Sequence, residues 1–167
     1  MNILELALEN EWEQCCSIIN AGRNFQREQG FVQWTDSYPN AKTIQDDIQS
    51  LKGYVLKVDG VIAAYMCIDF DGEPAYANIK GEWHTNEPYA VIHRMAFSNR
   101  YRGFGLADIV FCLIDQLCIQ NNVGNIRVDT DFPNKRMQHI LEKNGYLNCG
   151  IIMFQGSDKL AYEKQIK

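Results

Sequence analysis

The sequence predicts an α+β fold: a central mixed, mostly antiparallel sheet of six or seven strands flanked by helices. Three observations carry this. Helical and strand patterns alternate only in the middle of the chain, while strand pairs sit at both ends, which a fully parallel doubly wound sheet would not show. The Asp59-Gly60 pair between two apolar runs marks a two-residue hairpin. The 167 residues contain no repeat and no Pro/Gly-rich linker, so a single domain over 1–167 is expected. A chain of this size buries about 70% of its unfolded surface and needs neither disulfide nor metal to fold.

The elements follow in order. Trp12, Cys15, Cys16 and Ile19 recur at helical spacing and predict a first helix over 8–27. A polar and aromatic loop, Gln33 to Asn40, leads to a short helix with Thr43 as its N-cap, running to about Leu51. Strands are predicted at 53–58 and 61–70, and Asp71-Gly72-Glu73-Pro74 ends the second. The stretch from Tyr76 to Pro88 is ambiguous, with room for a short strand at 77–79. Tyr89 to Phe97 reads as a strand, Ser98 to Gly103 as a basic, glycine-containing loop, and 105–121 as a helix with a wide apolar face. A strand at 125–129, a helix at 134–144 stopped by Gly145, and strands at 147–154 and 160–164 around a turn at 155–158 complete the chain.

Composition narrows the function. Sixteen basic and twenty-one acidic side chains leave a formal charge of −5, which disfavours nucleic-acid binding. No run of eighteen apolar residues exists, so no membrane span or membrane partner is expected. The first ten residues carry Glu5 and Glu9 and no basic stretch, unlike a secretory leader. The six cysteines lack C-x-x-C spacing and read as buried reduced thiols, which points to the cytoplasm. None of the three histidines pairs with a cysteine at zinc spacing, so no metal site is expected.

The segment from Val91 to Ala107 carries the chemistry. It is an apolar strand, a cationic turn with Arg100 and Arg102, and a helix start bearing Gly103, Gly105 and Ala107. A helix N-terminus exposes unpaired N–H groups and a partial positive charge, and glycines let a bound group approach the backbone. That chemistry suits a phosphate or pyrophosphate. The P-loop ending Gly-Lys-Ser/Thr is missing, and Asp108 stands where the dinucleotide fingerprint places its third glycine.

Arg102-Gly103-Phe104-Gly105-Leu106-Ala107 resembles the Q/R-x-x-G-x-G/A signature of the GNAT superfamily of N-acetyltransferases. Asn134 to Tyr146 resembles that family's second motif, an Asn opening a helix that ends in E-K-x-G-F. The element order from Leu8 to Lys164 fits as well. The resemblance implies an acyl-CoA N-acyltransferase-like fold with acetyl-CoA as donor. It implies that the backbone of Gly103, Phe104, Gly105, Leu106, Ala107 and Asp108, following Arg102, holds the pyrophosphate. Met95, Ala96 and Phe97 would face the pantetheine arm, in a gap where their strand splays from 125–129, and Asn134 would touch that arm. Arg100, Lys135 or Arg136 would meet the 3′-phosphate or stand as solvated charges.

The implied reaction is acetyl transfer to a primary amine of a small molecule or peptide by direct attack in a ternary complex. A backbone N–H of 95–97 is the natural oxyanion donor. An ammonium must first lose its proton, so a base is needed. His93, two residues before Met95 and so on its face, and Glu82 rank first, with Asp69 behind. Trp34, Tyr38 and Trp83 are expected to line the acceptor pocket, and an acidic protein suits a cationic acceptor. The chain is expected to act as a monomer or homodimer. The other reading is a non-catalytic acyl-CoA-binding sensor or interaction module of the same fold. The family often places a thiolate-protonating Tyr seven residues after the motif Asn; here that residue is Leu141, and Tyr146 reads as filling the apolar position of the motif Phe.

Overall fold

A computed structural model describes residues 1–166. Among these, eight strands and four α-helices follow one another as β1 (Asn2–Leu6), α1 (Trp12–Glu28), α2 (Ala41–Gln49), β2 (Gly53–Val58), β3 (Val61–Asp69), β4 (Lys80–Gly81), β5 (Tyr89–Phe97), α3 (Leu106–Gln120), β6 (Asn125–Thr130), α4 (Lys135–Lys143), β7 (Leu147–Phe154) and β8 (Ser157–Gln165). The strands form one sheet in the order β1-β2-β3-β5-β6-β8-β7-β4. β5 and β6 are parallel, with Tyr89 opposite Asn125 and Ile92 opposite Val128, whereas the β1–β2, β2–β3, β4–β7, β6–β8 and β7–β8 pairs are antiparallel. The mixed α+β class stands, with eight strands rather than six or seven.

The differences lie at the edges and in the turns. β1 pairs with β2 from Asn2 opposite Val58 to Leu6 opposite Tyr54, yet its side chains are almost all exposed. An edge strand held by backbone bonds needs no apolar alternation, so its sequence carries no strand pattern. The strand expected at 77–79 is a 3₁₀ turn, Pro74–Asn78, started by Pro74 and by the Glu73 side chain accepting from the Ala75 N–H. The N-cap of α2 is Asn40, not Thr43. Asn40 Oδ1 accepts from the Thr43 N–H at 3.0 Å, and Thr43 Oγ1 accepts from the Asn40 N–H at 3.2 Å, so the two cap reciprocally. Both hairpin turns are two residues long with both φ positive, Asp59-Gly60 and Gln155-Gly156, so β8 starts at Ser157.

The described chain folds as two compact units. One comprises Met1–Ile68 and His93–Leu113; the other comprises Asp69–Ile92 and the residues from Ile114 onward. In the first, the core joins Cys15, Ile18 and Ile19 of α1 to Trp34, Ile44 and Ile48, and to Val55, Ile62, Tyr65 and Ala96 of the sheet. Gly22 lets α1 close onto β5: a Cβ there would come 2.8 Å from the Ala96 Cβ and 3.0 Å from the Trp34 ring. In the second, Tyr76, Val91, Ile152 and Ala161 form a core flanked by Trp83, Tyr89 and Phe154.

β4 rests on a two-glycine contact. Gly81 pairs with Gly150 at φ 139° and 137°, and a Cβ on Gly81 would lie 2.1 Å from the Cys149 carbonyl oxygen. Gly81→Ala is therefore expected to destabilise the protein by about 1–3 kcal/mol, read as a lowered urea midpoint. An unchanged midpoint would mean that β4 is not paired as described.

Candidate active site

The loop after β5 is built to expose backbone. Ser98 N–H donates to the Ala63 carbonyl at 2.8 Å, anchoring the loop's start, and one 3₁₀ turn, Asn99–Tyr101, follows. Gly103 and Gly105 have φ of 84° and 73°, and a Cβ on either would meet no atom within 4 Å. These glycines serve backbone conformation and open approach rather than packing. Buried Leu106 then starts α3, a helix of fifteen residues whose first turn also carries half-buried Ala107 and Asp108. The first N–H groups of a helix have no intrahelical acceptor, which suits an anion. The Arg102 guanidinium does not extend into this space. It donates to Asn99 Oδ1 at 2.9 Å and to the Ala21 carbonyl of α1 at 3.1 Å, and lies 3.8 Å over the Phe25 ring. Arg102 is a strut that ties the loop to α1, a stack worth about 0.5–2 kcal/mol.

β5 contains a strained residue just before the segment implied to face the donor. Arg94 has φ 55°, in the left-handed region that costs a non-glycine residue about 1–2 kcal/mol. Its side chain is held on three sides. Nε and Nη2 donate to Asp47 Oδ2 and Oδ1 at 2.9 and 2.6 Å, and Nη1 donates to the Tyr38 hydroxyl at 2.8 Å. The Tyr65 hydroxyl donates to the same Asp47 at 2.7 Å. Burial opposes the Arg94 charge, but the Asp47 bonds outweigh it and raise its pKa. Burial raises the Tyr38 hydroxyl, against the pull of Arg94. The alternation that put His93 on the face of Met95 does not carry through a left-handed residue, so that argument for His93 fails; His93 itself is half-buried.

The expected acceptor aromatics are dispersed in their roles. Trp34 is a core residue, 8% exposed, its N–H bonded to Gln26 Oε1. Arg23 of α1 pins the same loop through the Thr35 and Pro39 carbonyls. Tyr38 is an acceptor for Arg94. Trp83 donates to the Tyr76 carbonyl at 2.9 Å, and the Arg127 guanidinium is sandwiched 4.2 Å from Trp83 and 4.0 Å from Tyr89. Glu82 is exposed, its N–H bonded to the Cys149 carbonyl, and Asp69 accepts from the Asp71 N–H in a tight turn.

Two carboxylates of the second unit escaped the sequence reading. Glu163 is buried, accepting from Arg127 Nε at 2.6 Å and the His84 N–H at 2.7 Å. Its ligand atom lies with those of His84 and Cys149 within 4.8 Å of one another, a grouping that cysteine spacing does not reveal. The guanidinium on Glu163 opposes a cation there, and burial keeps the Cys149 thiol protonated up to about 11. The second is Asp129, on β6. Its Oδ2 accepts from the buried Tyr76 hydroxyl at 2.7 Å. Burial pushes the carboxyl up to about 6, against the Tyr76 bond and nearby Lys159. A charge at alternate positions in Arg127-Val128-Asp129 is the available signal; the 3₁₀ turn that supplies Tyr76 opens the stretch whose sequence pattern is ambiguous.

The Acetyltransferase (GNAT) family model matches residues 12–146. The chain belongs to the GNAT acetyltransferase family. It is 36% identical to a GNAT acetyltransferase from Streptococcus agalactiae 2603, with a TM-score of 0.89 over 99% of this chain and 96% of that one. A GNAT acetyltransferase from Listeria monocytogenes 4b F2365 superposes at 0.78 with 18% identity, covering 99% and 95%. The aminoglycoside acetyltransferase AAC(6')-Ib, solved with paromomycin and acetyl-CoA, superposes at 0.73 with 17% identity, covering 98% and 93%. The last two show a shared fold. No curated protein matches the chain.

As a GNAT acetyltransferase the chain uses acetyl-CoA as its acetyl donor. The second GNAT motif is intact in form: Asn134 caps α4, its Oδ1 accepting from the Met137 N–H. Leu141 is fully buried. Tyr146 is buried as well, and burial, then Asp115 and Cys118, raise its pKa well above the ordinary value.

Removing one partner of the Arg94–Asp47 pair leaves a buried charge unpaired. Arg94→Ala and Asp47→Asn are each expected to cost about 3–5 kcal/mol in chemical denaturation, and Arg94→Lys, without the two-pronged geometry, nearly as much. A loss below about 1 kcal/mol, the range of exposed pairs, would show that the network is not formed.

Proposed function

We propose that this protein transfers the acetyl group of acetyl-CoA to a primary amine of a small molecule or peptide by direct attack in a ternary complex, the whole chain acting as one catalytic domain. The observation that carries the reading is the Gly103–Gly105 loop: two left-handed glycines whose open backbone runs into the N-terminus of α3, in a chain of the GNAT family. The residues fit the donor. Amides of Gly103 to Asp108 are assigned to its pyrophosphate, supported by the room a Cβ would find there. Met95, Ala96 and Phe97 are assigned to the pantetheine arm through their backbone, and Asn134 to the same arm. Arg102 is assigned to shaping the loop, since its guanidinium is spent on α1.

The donor supplies an activated thioester. The chain's part is to hold it, to offer an N–H of 95–97 to the oxyanion, and to receive the acceptor amine in its neutral form. Departure of the thiolate needs little help: a thiol ionises at about 8.5, so its anion leaves tolerably near neutral pH. Leu141 is therefore compatible with turnover. Six free cysteines suit a reducing compartment, and the cytoplasm is the proposed location.

Calorimetry with acetyl-CoA tests the loop. Gly105→Glu should abolish binding, because the new side chain blocks the backbone and repels the pyrophosphate, while the fold is kept, with a melt lowered only by the about 1–2 kcal/mol that a left-handed non-glycine residue costs. Retained affinity would remove the assignment. Tyr146→Phe should keep most thiol-releasing activity. A fall of about 100-fold or more, with acetyl-CoA affinity unchanged, would make Tyr146 the acid for the thiolate.

A further inference from the structure

Arg94 is unfavourable in two ways at once. Its backbone is left-handed, and its side chain is a charge taken out of water, 13% exposed, against an Asp47 side chain that is 9% exposed. A buried ion pair is a weak source of stability, since apolar side chains of similar volume often serve as well. A glycine would take the same φ without strain. Strain of this kind gathers at functional sites, where the conformation itself is used.

The clamp on Arg94 is built to hold one conformation. Two guanidinium nitrogens meet both oxygens of Asp47, and the third meets the Tyr38 hydroxyl. Asp47 is fixed in turn: its carboxylate accepts from Tyr65, and its carbonyl accepts from the Lys52 N–H at 2.9 Å. Tyr65 is fully buried, and a Cβ on Gly53 would already lie 3.1 Å from its hydroxyl oxygen, so it has no room to swing. Downstream, buried Ala96 packs against α1 at Gly22, and the Ser98 N–H holds the Ala63 carbonyl. The backbone from Arg94 to Ser98 is thus fastened at both ends. Clamp, strand end and glycine loop all belong to the first compact unit. The planar peptide that bears the Met95 N–H turns with ψ of Arg94, so whatever holds Arg94 aims that amide.

We propose that Arg94 is a positioning residue for acyl transfer: the clamp of Asp47 and Tyr38 keeps its backbone left-handed, and that turn aims the Met95 amide at the acetyl carbonyl oxygen. The inference rests on the acetyltransferase reading above. As the amine nitrogen bonds to the acetyl carbon, one carbonyl electron pair moves onto oxygen, where the amide meets it. When that pair returns, the carbon–sulfur bond breaks and its electrons leave on sulfur; the proton shed by nitrogen balances the one the thiolate takes up. An amide already aimed needs no reorientation during the step. Without the clamp, Arg94 relaxes toward extended backbone and the amide turns away.

The test reads the donor's carbonyl directly, by isotope-edited infrared spectroscopy of acetyl-CoA labelled at its thioester carbonyl and held at saturation. Calorimetry gives affinity, and a thermal melt reports folding. Bound to the parent, the carbonyl stretch should move to lower frequency than in free acetyl-CoA, the mark of a donated hydrogen bond. Arg94→Ala should lose that displacement while acetyl-CoA still binds, because the glycine loop is untouched. Arg94→Gly should keep more of it, since glycine takes the left-handed φ without strain; a side chain that served only packing would rank the two the other way. Tyr38→Phe, which leaves the ion pair in place, should lose part of the displacement, and it decides the outcome where the Arg94 variants fail to fold. An unmoved carbonyl in the parent complex, a displacement left intact by Tyr38→Phe, or one no larger in Arg94→Gly than in Arg94→Ala would overturn the role of Arg94 alone. Failure of the parent to bind acetyl-CoA would overturn the acetyltransferase reading with it.

Discussion

Arg94 lies in the left-handed region in the middle of a strand, and the fold holds it there with a buried ion pair and two tyrosines. Backbone strain of this kind persists only where the surroundings over-determine it. Asp47 comes from α2 and Tyr38 from the loop before it, and both meet the guanidinium, while Tyr65 from β3 holds Asp47. The same loop is pinned to α1 by Arg23, and α1 closes on β5 through Gly22. The direction of the amides that follow Arg94, at Met95 to Phe97, is thus set by side chains distant in sequence. Preorganised amides are what an acyl-transfer site needs, because dipoles already aimed cost nothing to reorient during reaction.

Charge is placed by the same logic. The protein is acidic overall, and on the proposed function its glycine loop offers backbone N–H groups rather than basic side chains to an anion. The nearest arginine of the signature is spent on a carbonyl and a phenyl ring. On the proposed function, anion recognition is thereby separated from net charge.

What the sequence revealed depends on range. The glycine loop, the α3 face and the Asp59-Gly60 hairpin are local, each written in a few neighbouring residues, and each was legible. β1 was not, because an edge strand with exposed side chains has no pattern to read. Trp34 and Tyr38 looked like pocket residues because they sit in a polar loop; only the tertiary contacts with Gly22, Gln26 and Arg94 show them committed to packing and support. His93 was placed by period-two alternation, which a left-handed Arg94 interrupts, and a positive φ at an arginine leaves no local signature. Asp129 gains its character from Tyr76, fifty-three residues away, through a 3₁₀ turn with strand-like composition.

The account turns on backbone amides holding the donor. A crystal structure with coenzyme A bound tests this most directly. It should place the pyrophosphate within hydrogen-bond distance of the amides from Gly103 to Asp108, with the pantetheine arm along Met95 to Phe97 and the Arg102 guanidinium still on α1. A pyrophosphate held chiefly by side chains elsewhere, with the Gly103–Gly105 backbone facing solvent, would contradict it.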